Sequence, residues 1–336
     1  GLGDVYKRQA EGAARKDKIQ ELGKIADDPD EEDVTRGLAA VAAGVLHLEE
    51  KQWAAADARL TSPMISASSL EPYALYVLGR ALTDSDPARA VEVFELLEGG
   101  LEGGSTFTLI DEARLRLGRL LVKAGQNEQA ALLFRKVLEE GRRESRGAAL
   151  AELSGVLIDL GKMEEAVHWL EELYYEMPMH RLSSDAGRKL RKLKAQRPSR
   201  TIEKLYLLAL ARAELLFEEG RYKNAYSDYT ALLKSYPKQI DAEYVNLRRG
   251  VCQYRRRQSR SAEATLGRIK RDDLLAEATL YRGEAARRLR KRKTYKKRLD
   301  AVLALDPKGP WAEEALWSLA RFNVVEDDMV QALQYY

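Results

Sequence analysis

Apolar side chains return at every third or fourth position along Glu112–Lys123 and again along Glu203–Phe217. That spacing gathers them on one face of an α-helix. No segment offers a competing alternation of apolar and polar residues, so the pattern predicts an all-α chain of sixteen or more helices and no sheet.

Glycine and proline punctuate the helices at repeated offsets. Gly161, Ala166 and Pro178 are spaced like Gly220, Ala225 and Pro237, and Gly125 stands before Ala130 at the first of these offsets. A frame of about 34 residues follows, with starts near Gly37, Glu71, Asp111, Gly147, Tyr206, Glu243, Ala276 and Glu313. A small residue recurs in the middle of the first helix of each unit: Gly44, Gly118, Ser154, Ala213, Gly250, Gly283 and Ala320. Its counterparts in the second helix are Ala56, Ala90, Ala130, Ala166, Ala225, Ala262 and Ala332. Leu78 and Tyr295 depart from the rule. Two helices approach closely only where their facing side chains are small, and glycine inside a helix costs about 1 kcal/mol, so its recurrence implies a packing reason. Gly125, Gly161 and Gly220 suit a left-handed residue at a helix end. Pro178, Pro237 and Pro307 stop the second helix. Large residues near its end (Leu60, Phe94, Phe134, Leu170, Tyr229, Leu266, Leu299, Tyr336) are expected to fill the gap between hairpins. This frame is similar to a tetratricopeptide unit, and the resemblance implies a right-handed superhelix of about eight helical hairpins.

The frame is interrupted once. Between Pro178 and Thr201 lies a basic stretch with Arg188, Lys189, Arg191, Lys192 and Lys194, read as an insertion over 179–200 that holds an extra helix. The expected organisation is therefore a repeat array over 10–178, the insertion, and a second array over 201–336 that stops mid-repeat. The opening DVYKRQ of Asp4–Gln9 resembles the translation of a sequencing adapter, so residues 1–9 are set aside as non-native.

Composition adds little until charge is divided along the chain. Hydrophobic residues are 45% and charged residues 32%, as in a folded protein. The net charge of +3 conceals an asymmetry. Residues 1–180 hold 21 lysines and arginines against 33 acids, a net of −12; residues 181–336 hold 35 against 20, a net of +15. The C-terminal half could therefore attract anionic partners, although solvated helix faces produce the same count. Basic clusters at Arg255–Arg257 with Arg260, and at Arg287–Arg298 around Tyr295, raise nucleic acid as a partner. No recognised nucleic-acid motif supports it, and cations also suit helix C-termini. No apolar run reaches the length of a membrane span.

Candidate chemistry is sparse. His47, His168 and His180 lack neighbours at metal-ligand spacing, and His168 beside Trp169 reads as a packing or surface residue. The single cysteine, Cys252, reads as a small buried hydrophobe. There is no phosphate-binding loop and no nucleophile elbow. No cofactor and no catalytic residue is expected in this chain.

Leu70–Leu82, Leu173–Ala186, Ala211–Ala225 and Pro310–Ala320 (PWAEEALWSLA) resemble the N-terminal helical domain of soluble lytic murein transglycosylases. That resemblance implies a non-catalytic scaffold in the periplasm or at the outer membrane that handles peptidoglycan glycan strands, with a separate lysozyme-like domain beyond Tyr336. The family's catalytic glutamate precedes a serine and an aromatic residue. Here Glu144-Ser145 is followed by Arg146, lies in a linker, and is rejected as catalytic. The alternative is a scaffold or envelope adaptor that binds proteins and peptides with no enzyme attached. If the concave wall follows tetratricopeptide geometry, it is lined by Arg119, Val122 and Lys123; Glu214, Phe217 and Glu218; Val251, Tyr254 and Arg255; and Glu284, Arg288 and Leu289. Tyr254 with Arg255 is the pair best suited to a sugar or a peptide carboxylate; simple packing between helices is the competing reading of all these positions.

Overall fold

The computed structural model describes residues 2–100, 107–193 and 202–335. Within them the chain forms eighteen α-helices and no strand. A long helix α1 (Leu2–Asp27) precedes the hairpins. Four hairpins follow: α2/α3 (Asp33–Glu49, Trp53–Leu60), α4/α5 (Glu71–Leu82, Pro87–Gly100), α6/α7 (Ile110–Lys123, Asn127–Glu140) and α8/α9 (Arg143–Asp159, Met163–Glu171). A π-helical turn, Glu172–Glu176, extends α9, and α10 (Ser183–Lys192) lies within the basic insertion. Four more hairpins complete the chain: α11/α12 (Ile202–Glu218, Tyr222–Ser235), α13/α14 (Ala242–Arg255, Ser259–Leu266), α15/α16 (Asp272–Arg288, Arg292–Leu305) and α17/α18 (Pro310–Val325, Met329–Leu333). The chain divides into two compact units, residues 1–170 with 188–196 and residues 171–187 with 197–336.

Helix ends follow from local sequence. Pro72 and Pro310 stand in the first turns of α4 and α17, where a proline forfeits no hydrogen bond. Asp241 accepts the Tyr244 N–H at 3.0 Å and caps α13. Seven of the eight turns inside hairpins share one geometry. A residue with positive φ follows the first helix, and the next N–H reaches back five residues, as from Gln126 to Leu121 O and from Gln258 to Gln253 O, both at 2.9 Å. Glycine fills the left-handed position at Gly125, Gly161 and Gly220, as expected. At Lys51, Arg257, Arg290 and Asp327 a residue with a side chain does so instead.

The small-residue register lies at the seam of each hairpin. A Cβ added to Gly118 would stand 2.6 Å from Phe134 Cζ, and one on Gly250 would stand 2.5 Å from Leu266 Cγ. Gly44 faces Leu60 and Gly283 faces Leu299 in the same way. Ala56, Ala90, Ala130, Ala166, Ala225 and Ala262 are wholly buried. The large residue late in the second helix packs toward the next hairpin as expected, Tyr229 against Val245 of α13, Leu266 against Leu274 of α15 and Leu299 against Leu319 of α17; Tyr336 lies outside the described residues. Where the first helix carries a glycine at the seam, the same large residue also rests on it. The two positions are sixteen residues apart, which brings them to the same height across the turn. The departures also have physical accounts. In α4/α5, whose turn lacks the left-handed residue, the seam moves by one position, so that Gly79, next to buried Leu78, receives the Phe94 ring. Tyr295 replaces alanine, and its hydroxyl donates to Ser318 O of α17 at 3.1 Å.

Successive hairpins of a unit are tied by ion pairs as well as apolar packing. Glu98 of α5 accepts Arg114 of α6 at 2.9 Å and also pairs with Lys136 of α7. In the other unit Arg248 of α13 reaches Glu277 of α15 at 3.0 Å. Each charge is thus partly buried only with its partner beside it.

Candidate functional site

First helices of three consecutive hairpins, α13, α15 and α17, present their exposed faces side by side. Between them runs a groove of about 380 Å³ whose lining includes Tyr254 and Arg255, Tyr281, Glu284 and Arg287, and Trp311, Glu314 and Arg321. Its floor is an aromatic series with one ring from each helix: the Tyr254 and Tyr281 centroids are 5.4 Å apart, and those of Tyr281 and Trp311 are 6.3 Å apart. Such edge and tilted geometries suit the ring quadrupoles. Glu284 sits centrally, accepting Arg287 at 2.8 and 3.0 Å and the Tyr254 hydroxyl at 3.3 Å. Arg255 donates to the Tyr281 hydroxyl at 3.3 Å. Burial, with Glu284 adding to it, holds the Tyr254 phenol above its ordinary pKa, and burial does the same for Tyr281. Both hydroxyls therefore remain neutral donors at physiological pH.

A second concavity of about 540 Å³ adjoins the first and shares Glu284, Arg287, Ser318 and Arg321 with it. It adds Tyr295 and Phe322, with Arg290 and Arg292 at its rim. Arg292 is engaged by Glu326 at 2.7 Å, while Arg290 is exposed. The combined strip offers aromatic side chains, Ser318 and several guanidinium groups. It holds no nucleophile paired with a base, and among the described residues no cluster of histidine, cysteine or acidic side chains could hold a metal ion.

Of the residues expected on the concave wall, Tyr254, Arg255 and Glu284 come together in this groove. Tyr254 is only 6% exposed, so it contributes an edge and a hydroxyl to a surface that it mainly supports. Val251 is buried in the core beneath. Arg288 does not line the groove: its guanidinium lies 3.8 Å over the Tyr254 ring, and with Leu289 it lines a separate concavity at the α13–α14 turn. Arg287 takes the place expected for those two, one residue earlier on α15. Glu214 belongs to an internal ladder, accepting the Tyr244 hydroxyl at 2.9 Å while Arg248 bonds that hydroxyl at 3.1 Å. Arg119 and Lys123 are part of the other unit. Arg119 pairs with Glu152 of the next hairpin at 2.7 Å, and Lys123 is exposed.

Tyr281 and Arg321 carry no motif of their own, Arg287 stands in the basic cluster, and Trp311 stands in the Pro310–Ala320 segment, none of them expected on the concave wall. A signal existed: Trp311, Glu314, Ser318 and Arg321 recur at steps of three and four along α17, marking one polar and aromatic helix face. The expected wall positions lie in the last turns of first helices, whereas Trp311 and Glu314 stand in the first turns of α17.

Other singled-out residues have structural settings. Glu144 is exposed in the first turn of α8, not in a linker. His168 stacks edge-on against Trp169 at 4.7 Å. His180 accepts the Leu182 N–H at 3.3 Å, and burial together with Arg181 depresses its pKa. Cys252 is buried, which pushes its thiol up to about 12.

A tetratricopeptide-repeat family model matches residues 112–140 and 205–238, which cover α6/α7 and most of α11/α12. Those two segments are tetratricopeptide repeats, and the paired helices around them have the tetratricopeptide-like fold. No curated protein matches it. Among solved structures it is similar to a tetratricopeptide repeat protein from Parabacteroides merdae, at 12% identity and a TM-score of 0.33, over 88% of this chain and 98% of that one. It is also similar to YrrB, described as a tetratricopeptide protein with an unusual peptide-binding site, at 15% identity and a TM-score of 0.31, over 67% of this chain and 98% of that one. A third is the TPR2AB domain of yeast Sti1 in its pHSP90 complex, at 15% identity and a TM-score of 0.30, over 88% of this chain and 98% of that one. At such values none of them bears on what this chain binds. No helix of the described residues is long and apolar enough to cross a membrane.

Proposed function

We propose that this tetratricopeptide chain is a non-catalytic scaffold that binds a segment of another protein in the groove across α13, α15 and α17. The observation that carries the reading is the Tyr254–Tyr281–Trp311 series, one ring per hairpin, flanked by Arg255, Arg287 and Arg321. Aromatic and arginine side chains on a rigid frame are the groups that dominate protein interfaces, because they bury much area for little lost freedom. An extended segment would cross the three helices and meet a guanidinium at each, with the rings of Tyr281 and Trp311 and the edge of Tyr254 beneath it.

Selection of binders from a displayed peptide library, followed by affinity measurement on the full chain, tests this. Trp311→Ala and Arg321→Ala should each weaken a selected peptide by about tenfold or more, while Lys123→Ala in the other unit leaves it unchanged. Peptides that bind equally well to all three variants would refute the groove.

A second reading places the chain in the periplasm as the scaffold half of a lytic transglycosylase that guides glycan strands. It draws on one specific feature: the PWAEEALW segment that suggested this family contributes Trp311 to the groove, and an indole face can stack on a sugar ring. Titration with soluble peptidoglycan fragments separates the two. Saturable glycan binding lost in Trp311→Ala supports the scaffold of a cell-wall enzyme; indifference to glycan removes it.

A further inference from the structure

The turn joining α13 to α14 carries chemistry that the groove does not use. Arg257 occupies its left-handed position with φ 63°, and α14 begins two residues later. The first bond of the α14 ladder runs from the Ala262 N–H to Gln258 O at 2.9 Å. The N–H groups of Ser259, Arg260 and Ser261 therefore have no acceptor within the helix. Gln258, at the cap position, supplies no side-chain acceptor either. Asp241 and Asp328 fill that role at α13 and α18 with a carboxylate.

A concavity of about 740 Å³ opens on this turn. Its lining includes Arg257, Ser259, Arg260, Ser261 and Arg288, and none of its lining residues is acidic. It shares no lining residue with the groove. Arg257 and Arg260 are exposed and form no ion pair among the described residues. Arg288 is fixed by stacking 3.8 Å over Tyr254 and by donating to the Tyr254 carbonyl oxygen, which leaves other guanidinium donors unused. Ser259 is 7% exposed, lines the cavity, and its hydroxyl has no hydrogen-bond partner among the described residues. Three guanidinium groups around one cavity repel each other, and the positive end of α14 adds to them. No carboxylate lines the cavity to oppose them.

We propose that this concavity binds an oxyanion of the phosphate-monoester class, either free in solution or carried on a side chain of a bound protein. The number of donors argues for phosphate over carboxylate. Three guanidinium groups, a hydroxyl and the amides of a helix start exceed what two carboxylate oxygens can accept, whereas a doubly charged tetrahedral group with three terminal oxygens uses them. A helix N-terminus reinforced by arginine is a ready site for such a group. A nucleic-acid backbone fits less well, because these cations converge on one cavity without exposed aromatic faces between them.

The test is calorimetric titration of the full chain, at constant ionic strength, with inorganic phosphate, with acetate, and with a short phosphoserine peptide and its unphosphorylated twin. Saturable one-to-one binding of phosphate and no binding of acetate are expected. Arg260→Gln should weaken phosphate by about tenfold, the usual effect of losing a charged hydrogen bond. Arg257→Gly should also weaken it while raising the melting temperature, since glycine relieves the left-handed backbone. Misfolding would lower both quantities, so the opposed signs separate lost binding from lost structure. Equal affinity for free phosphate and the phosphopeptide identifies a free anion; tighter, phosphorylation-dependent peptide binding identifies a protein-borne one. Absence of saturable binding to either phosphate probe, affinity unchanged in both variants, or tighter binding of a single-stranded oligonucleotide than of any phosphate probe would overturn the proposal.

Discussion

Replacing Gly118 by alanine tests the physical basis of the hairpins. The new methyl would stand 2.6 Å from Phe134 Cζ, whereas carbon atoms rest at about 3.5–4.0 Å. The ring must therefore withdraw by about 1 Å or the helices must part. Overpacking costs about 1–3 kcal/mol, and an overlap of this size against a fully buried ring belongs in the upper part of that range, about 2–3 kcal/mol; removing a glycine from a helix interior offsets about 1 kcal/mol of it. A net loss of about 1–2 kcal/mol is expected, local to α6/α7 because a repeat array opens by neighbouring units. Hydrogen exchange followed by mass spectrometry on peptides from α6 and α7 reads this directly, and exchange should accelerate by about 5- to 30-fold. Gly155→Ala is the matched control. That glycine lies inside α8, one residue past the seam, and the nearest outside atom to an added Cβ is Lys189 Nζ at 3.9 Å. The same chemical change there should slow exchange, stabilising by about 1 kcal/mol. Adding Phe134→Leu to Gly118→Ala should cost less than the two single losses together. If Gly118→Ala proved neutral or stabilising, contact at the seam would not be what selects glycine.

Three further expectations follow from other parts of the structure. Lys51→Gly should raise stability by about 0.5–1 kcal/mol, because a left-handed lysine is strained and glycine is not; a fall in the urea midpoint would contradict this. Burial alone would raise the Glu98 carboxyl, but Arg114 and Lys136 outweigh it and hold its pKa below the usual value. A depressed carboxylate stabilises the fold fully above its unfolded pKa of about 4.3 and loses that contribution as pH falls through the folded pKa. Glu98→Gln should therefore flatten the acid side of a stability profile and leave no new dependence above about pH 6. Cys252, with its thiol pushed up to about 12, should resist thiol reagents at pH 8 in the folded chain and react only as urea unfolds it; rapid labelling of the native chain would show that the hairpin core opens more readily than its packing implies.

Much of the hairpin architecture could be read from residue spacing, and the limits of that reading are specific. Gly125, Gly161 and Gly220 announced left-handed turns because glycine is the residue that adopts them freely. Lys51, Arg257, Arg290 and Asp327 hold the same backbone without the marker, and only their place in the frame betrays them. The candidate surface was legible in part. Arg255 and Glu284 lie where helical spacing put them, yet Tyr254 is covered by Arg288 from the next hairpin and Val251 lies in the core. Tyr281 came beside Tyr254, and Trp311 beside Tyr281, through stacking of whole hairpins, which no pattern within one helix describes.

Periodicity of apolar residues, small residues in register and turn residues sufficed to establish an all-α chain of paired helices, because each depends on groups within a few positions of one another along the backbone. What lies across a seam or between hairpins needed the folded coordinates: Phe134 resting on Gly118, Arg288 stacked on Tyr254, and three arginines converging at one turn. Those contacts join residues sixteen to thirty or more positions apart. Their geometry depends on how far each hairpin is rotated against the next, and that rotation arises from the summed packing of all the side chains between them.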